Sequence, residues 1–218
     1  MSKEYLKNLI NRNDYIKQNQ LYLKQRVFET FKNLINTFFK KNIFELRNSL
    51  DLGSADGSFV EILKNNGFKA HGLDINDINF ETGKFSFDNN KFDLITAISI
   101  IEHLSNPNNF LNEVRRVLKD NGFFILVTPN WKMDMKVFYD DPTHVKPYTI
   151  KSINFLLKSF KFKNISVVPW LVCKPSWMWK IPFSFELARC IPFRGNQNKL
   201  IPNFLKGQSK SLLIICQK

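Results

Sequence analysis

Glycine is scarce in this chain: eight of 218 residues, none of them before Gly53, and no proline precedes that position either. The stretch ahead of Gly53 therefore lacks turn punctuation. In it Phe28, Phe31, Leu34, Ile35, Phe38 and Phe39 recur at i, i+3, i+4 spacing, which predicts helix. Two helices are expected between Tyr5 and Phe44, broken at the polar stretch 11–14. Cysteine is scarcer still. Cys173, Cys190 and Cys216 stand apart without CxxC spacing, which excludes a disulfide framework and a structural zinc site. No apolar run approaches the roughly 18 residues that a membrane-spanning helix needs. The amino-terminal MSKEYLKNLINRND is charged throughout and has no apolar core of a secretory signal, so a cytoplasmic location is expected.

Acidic residues are missing mainly from the two flanks. Residues 1–46 carry 9 basic and 4 acidic side chains and residues 169–218 carry 8 and 1, whereas residues 47–168 are near balance at 15 and 14. The net charge of +13 thus lies outside the middle of the chain, where it favours an anionic surface, a nucleic acid or a phosphate-bearing substrate.

What is present from Leu50 onward is alternation. Short apolar runs (SLDL, AHGLDI, FDLITAISI, GFFILVT, FKNISVVPW and the final SLLIICQ) are separated early on by amphipathic segments. One such segment follows the glycine turn at 59–65. Another spans 107–119 and is read as a helix closed by Asp120, Asn121 and Gly122. Strands alternating with helices at this spacing predict an α/β fold, a doubly wound and mostly parallel sheet with helices on both faces.

In such a sheet, ligands bind beyond the carboxyl ends of the strands. Gly53 and Gly57 bracket a turn in LDLGSADGSF, and Asp74 follows Asp51 by 23 residues. That is the distance at which a second-strand acid meets ribose hydroxyls. A dinucleotide fingerprint needs GxGxxG, yet the second and third glycine positions hold Ala55 and Ser58, so a nicotinamide oxidoreductase is disfavoured. Acids at Asp51 and Asp56 suit a cationic ligand, such as the ammonium and sulfonium of S-adenosyl-L-methionine.

From about Arg47 to Phe160 the chain resembles the class I S-adenosylmethionine-dependent methyltransferases, closest to the small-molecule and sugar-type enzymes. The resemblance is carried, in order, by LDLGSADGSFVEIL, AHGLDIN, FDLITAISIIEHL with RVLKDNGFFILVTPN, and DPTHVKPYTIKSINFLLKSF. It implies a Rossmann-like, seven-stranded sheet with an amino-terminal helical cap. It also implies S-adenosyl-L-methionine as cofactor, with Asp51, Gly53, Ser54 and Gly57 around the methionine moiety. Asp74 would take the ribose, Ile75 would lie against the adenine, Glu81 would meet the adenine amino group with Thr82 beside it, and Ala97 and Ile98 would line the methionine through backbone. The family's turn often carries a second glycine where Ala55 stands, and alanine suits that place if its φ is negative.

The implied domains are a helical cap (1–46), the cofactor-binding core (47–168), an aromatic and basic insertion (169–207) and the last strand of the sheet (208–218). The insertion holds Trp170, Trp177 and Trp179 and five of the nine prolines. It reads as a lid over the acceptor, as an interfacial surface, or as a packed cover on the sheet. Among the histidines, His71 lies in a strand and is structural. His103 and His144 are the candidates for a catalytic base, each with packing or loop-stabilising alternatives. Asp140 with His144 offers too few ligands for a metal, so none is assigned. The expected reaction is methylation of an oxygen or nitrogen on a small molecule, sugar or lipid-linked glycan. The alternatives are an RNA methyltransferase, for which the basic flanks speak, and a non-catalytic scaffold on the same fold.

Overall fold

A computed structural model of the chain describes residues 3–170, 180–181, 190, 193–194 and 206–218, with side chains described for 21–170, 180–181, 190 and 209–218. Most of the 169–207 insertion thus lies outside the described residues, and with it the three readings of that segment. The first element, α1 (Lys3–Phe39), is one uninterrupted helix, not two. Asn11, Asn13 and Asp14 are weak helix formers, but each costs only tenths of a kcal/mol, and no Gly or Pro is there to break the backbone. After β1 (Asn48–Leu52) come α2 (Ser58–Asn65), β2 (Lys69–Leu73), β3 (Phe92–Ile98), α3 (Asn108–Val117) and β4 (Leu118–Pro129). They are followed by α4 (Trp131–Asp134), α5 (Ile150–Ser159), β5 (Lys163–Pro169), the short strands β6 (Phe193–Arg194) and β7 (Lys206–Gln208), and finally β8 (Ser211–Gln217).

The main sheet has six strands in the order β2-β1-β3-β4-β8-β5. β1, β2, β3 and β4 run parallel, and β8 is antiparallel to both β4 and β5. The mostly parallel, doubly wound expectation holds, but the main sheet has six strands where seven were expected. The connection between β2 and β3 explains the difference. It is rich in Asn and Asp and has no apolar period, and it forms turns rather than a strand. Arg116 holds it by donating to the carbonyls of Phe85 and Phe87 and to the Asn89 side chain, while Glu113 accepts from the Phe85 N–H and pairs with Arg116.

Side chains alternate across the sheet as strand geometry requires. Phe123, Ile125 and Val127 of β4 join Leu213 and Ile215 of β8 under α1 and α2. Phe124 and Leu126, with Leu212, Ile214 and Cys216, face α3 and α5. On α3, the buried Phe110, Leu111, Val114 and Val117 form the inner stripe, each contributing about 1.5–3 kcal/mol by burial. The Asp120–Gly122 stretch does not close this helix. The chain turns extended at Leu118 and the three residues fall inside β4, where the pairing shifts between Phe92 and Leu94 and Asn121 takes φ +61°.

Candidate active site

The carboxyl ends of β1, β2, β3 and β4 lie along one edge of the sheet, and the predicted site residues gather there. Asp51 sits opposite Thr96 in the β1–β3 pairing. It is buried, with Thr96 Oγ1 donating to Asp51 Oδ1 at 2.6 Å. Beyond it the Gly53 N–H donates to the Leu73 carbonyl at 2.8 Å, tying the turn to β2. Gly53 has φ +73°, and a Cβ there would overlap the Ile100 side chain, so both backbone conformation and space demand glycine. Ser54 lies over Gly72, where a Cβ would crowd its Oγ. Gly57, also at φ +73°, leads into α2.

Ala55 corrects its expectation. Its φ is +45°, in the left-handed region that costs an alanine about 1–2 kcal/mol. A hydrogen bond offsets part of that cost: the Ala55 N–H donates to Asp74 Oδ2 at 2.9 Å. A second strained residue, Ser99 at φ +56°, ends β3 on the same edge. Departures of this kind cluster at functional sites.

Asp74 receives Asn76 Nδ2 on its other oxygen at 3.5 Å, and its own N–H donates to Asp77 Oδ2. Next to it Ile75 is 71% exposed, a large apolar side chain left uncovered at a strand end. Glu81 has a structural task that the sequence did not reveal. Its two oxygens accept the N–H groups of Ser105 (2.9 Å) and Asn106 (3.1 Å), fixing the loop ahead of α3. Thr82, beside Glu81 in the β2–β3 connection, is exposed. Ala97 is wholly buried toward the α3 face and Ile98 is half-buried, so at this end of β3 Ala97 offers the edge its backbone alone.

The turn after β3 and the loop after α4 bring the two candidate bases together. The His103 and His144 rings lie 4.8 Å apart between centroids. His144 Nδ1 is 2.7 Å from the Phe138 carbonyl, and its ring packs on Phe138 at 4.6 Å. His103 Nδ1 lies 3.2 Å from the Thr143 carbonyl and 2.9 Å from Thr143 Oγ1. The Thr143 hydroxyl itself donates to Asp141 Oδ1. Carbonyls only accept, so both Nδ1 atoms carry a proton, and in the neutral ring each Nε2 keeps a lone pair. The carboxylate nearest His144 is Asp141, at 3.8 Å from Nε2. His71, by contrast, is exposed and meets Phe87 and Phe92 edge-on.

Three further participants complete the site. Glu102, directly before His103, is fully buried, accepts from Thr128 Oγ1 through Oε2 and leaves Oε1 without a partner. Burial pushes its carboxyl above the usual range. An acid inside the apolar run ISIIEHL was the available signal, because such residues are rarely buried without a task. Tyr148 is buried with its hydroxyl unpartnered, and burial, reinforced by Glu102, pushes that hydroxyl up. Lys24 of α1 brings positive charge to Asp51 and Asp56. Burial is the main influence on Asp51 and raises its carboxyl to about 6. Exposed Asp56 is held low by hydrogen bonds from Ser58. Beside the cluster, a cleft of about 730 Å³ is lined by Trp131, Met133, Met135, Ile150 and Leu212 among others. Trp131 is linked to His144 through Phe138, at 5.4 Å between the Trp131 and Phe138 rings.

Comparison with known proteins agrees with this fold. The family described as a methyltransferase domain matches residues 22–167. An uncharacterized protein of Methanocaldococcus jannaschii is 29% identical over 213 residues, covering 92% of this chain and 90% of its own. A ubiquinone biosynthesis O-methyltransferase of Pelagibacter ubique is 27% identical over 135 residues, 54% of this chain and 55% of that one. The crystal structure of a SAM-dependent methyltransferase from Archaeoglobus fulgidus superposes with a TM-score of 0.58 at 18% identity, over 89% of this chain and 94% of that one. With the family match spanning most of the cofactor-binding core and part of α1, the chain belongs to the methyltransferase-domain family, the class I S-adenosylmethionine-dependent enzymes that its motifs resemble.

Proposed function

We propose that this chain methylates an oxygen or nitrogen of a small-molecule, sugar or lipid-linked glycan acceptor, with a hydroxyl oxygen best suited to the site. The observation that carries the reading is the adjacency, on one sheet edge, of an acid-lined glycine turn and two imidazoles held through Nδ1, which leaves Nε2 of each neutral ring to accept a proton. S-adenosyl-L-methionine, when bound, supplies a methyl group made electrophilic by its sulfonium. The residues present fit that cofactor: bare backbone at Gly53, two acids for its cationic end, and an uncovered apolar side chain at Ile75.

Asp51, Gly53, Ser54 and Gly57 would hold the methionine end, with Lys24 for its carboxylate and the backbone of Ala97 and Ile98 alongside. Asp74 would accept from the ribose hydroxyls and Ile75 would cover one adenine face. Glu81 and Thr82 would border the adenine, Glu81 while still holding the Ser105–Asn106 loop. The protein's main task in such a displacement is to align the two reactants. His144 and His103 are placed to take the acceptor's proton. The apolar cleft behind Trp131 suits an acceptor with a hydrophobic portion, and the basic, aromatic 169–207 segment suits a lipid-linked one met at an anionic membrane surface.

The ubiquinone-pathway O-methyltransferase among the relatives supports an oxygen acceptor. Calorimetric titration with S-adenosylhomocysteine tests the cofactor half, and micromolar binding that Asp74→Ala weakens at least tenfold is expected. No binding by the folded protein overturns it. Transfer of a labelled methyl group to panels of phenolic, sugar and amine acceptors tests the other half, and labelling of amines alone overturns the preference for oxygen.

A further inference from the structure

We infer that Glu102, His103 and His144 form a binding site for one divalent transition-metal cation beside the proposed methyl-transfer position. One donor atom from each of the three lies within 4.8 Å of the other two. Three further features mark the cluster as built for a cation. Glu102 is fully buried, yet Oε1 has no hydrogen-bond donor. A buried carboxylate oxygen without a partner is costly, and a cation supplies the missing partner.

Both imidazoles are locked by their Nδ1 bonds, His144 to the Phe138 carbonyl and His103 to Thr143. Ligating histidines are normally held in this way, with the second nitrogen donating to a carbonyl or hydroxyl group so that ring orientation and tautomer are set. Finally, Thr128 fixes the other Glu102 oxygen, and the Glu102 carbonyl accepts from Val145 and Lys146 N–H, clamping the two loops that carry the ligands.

Two imidazoles and one carboxylate make a borderline donor set that selects Mn²⁺, Fe²⁺, Co²⁺ or Zn²⁺ over Mg²⁺ and Ca²⁺, which prefer oxygen throughout. Three protein ligands leave positions open for an acceptor hydroxyl. A hydroxyl bound to such an ion would lose its proton to solvent water far more readily, so with the ion in place both imidazoles serve as ligands and neither acts as the base. This role for the ion rests on the proposed O-methyltransferase reading, whereas the binding site itself does not.

The experiment uses the full chain, stripped with EDTA and titrated with Co²⁺ while the ligand-field absorption is recorded, with Mg²⁺ as the comparison ion. One equivalent of Co²⁺ is expected, with a spectrum of nitrogen ligation, and Mg²⁺ should bind at least tenfold more weakly. His103→Ala, His144→Ala and Glu102→Gln should each weaken Co²⁺ binding more than tenfold, and Thr143→Val about tenfold through loss of the bond that orients His103. His103 is only half-buried, so His103→Ala serves if the Glu102 variant fails to fold. Absence of binding by folded protein, or binding that survives all three ligand variants, overturns the site. S-adenosylhomocysteine titration of the same stripped sample separates the two ideas: cofactor binding without Co²⁺ binding sinks the metal site alone, and the reverse sinks the methyltransferase reading alone.

Discussion

Thr96 Oγ1 donates a 2.6 Å hydrogen bond to Asp51 Oδ1 across two neighbouring parallel strands, beneath the amino-terminal helix. It is the one hydrogen bond set against the burial of that carboxylate, and burial wins: the carboxyl is raised to about 6.

Stability should therefore depend on pH in a definite sense. The folded chain holds the Asp51 proton more tightly than the unfolded one, so unfolding releases a proton between pH of about 4 and about 6. Stability falls as pH rises through that window and stays at its lower level above it. The penalty is roughly 3 kcal/mol at about 1.4 kcal/mol per pH unit. Asp51→Asn keeps the acceptor for Thr96 and should raise stability at pH 8 by up to that order while weakening S-adenosylhomocysteine binding. Urea melts of both proteins at pH 4.5 and pH 8 measure the first effect. Burial raises Glu102 in the same direction, so some slope should survive in the variant.

Asp74 is expected to act twice. Its carboxylate holds the strained Ala55 backbone at 2.9 Å, so Asp74→Ala should cost about 1 kcal/mol of stability, the worth of a typical hydrogen bond, since solvent exposure discounts the charge. Ala55→Gly relieves about 1–2 kcal/mol of left-handed strain but adds about 0.4–1 kcal/mol of unfolded-state entropy. Its net effect should be a gain of between zero and about 1.5 kcal/mol, read by thermal melting, with cofactor affinity retained.

Gly53→Ala meets both a forbidden conformation and the Ile100 side chain. The strain alone is about 1–2 kcal/mol. A larger loss is expected once Ile100 has to move, and thermal stabilisation by S-adenosylhomocysteine should disappear. Melting curves with and without that ligand test the point.

Glu81→Ala leaves two N–H groups, of Ser105 and Asn106, without their acceptor. About 1–2 kcal/mol of local stability should be lost, seen as faster hydrogen exchange at 105–106. Glu81→Gln keeps one acceptor oxygen and should lie between. A fall in cofactor affinity larger than this loosening accounts for would add the adenine contact.

Much of the chain was legible in its sequence because its signals are local. The strand-length apolar runs became β1, β3, β5 and β8, since period and β-branching bias the backbone wherever the segment lies. The glycine turn kept its place because Gly53 and Gly57 adopt a φ that other residues resist. Where the local reading failed, the local cue was too weak or the deciding contact came from elsewhere in the chain. The polar stretch 11–14 did not break α1, because weak helix formers alone do not end a helix, and the three residues read as a helix end lie at the register break of β4, after the chain has already turned extended at Leu118. The missing seventh strand is replaced by a loop pinned by Arg116 and Glu113 from another element.

The same division holds at the site. Asp51, Gly53 and Asp74 declare themselves by spacing, because one strand–turn–helix unit and its following strand place all three. Only the tertiary structure could bring His144 to His103, 41 residues away in the chain, and set both rings by Thr143 and Phe138. Only burial could leave Glu102 with an unsatisfied oxygen between them, since desolvation is a property of the packed fold and of no residue alone.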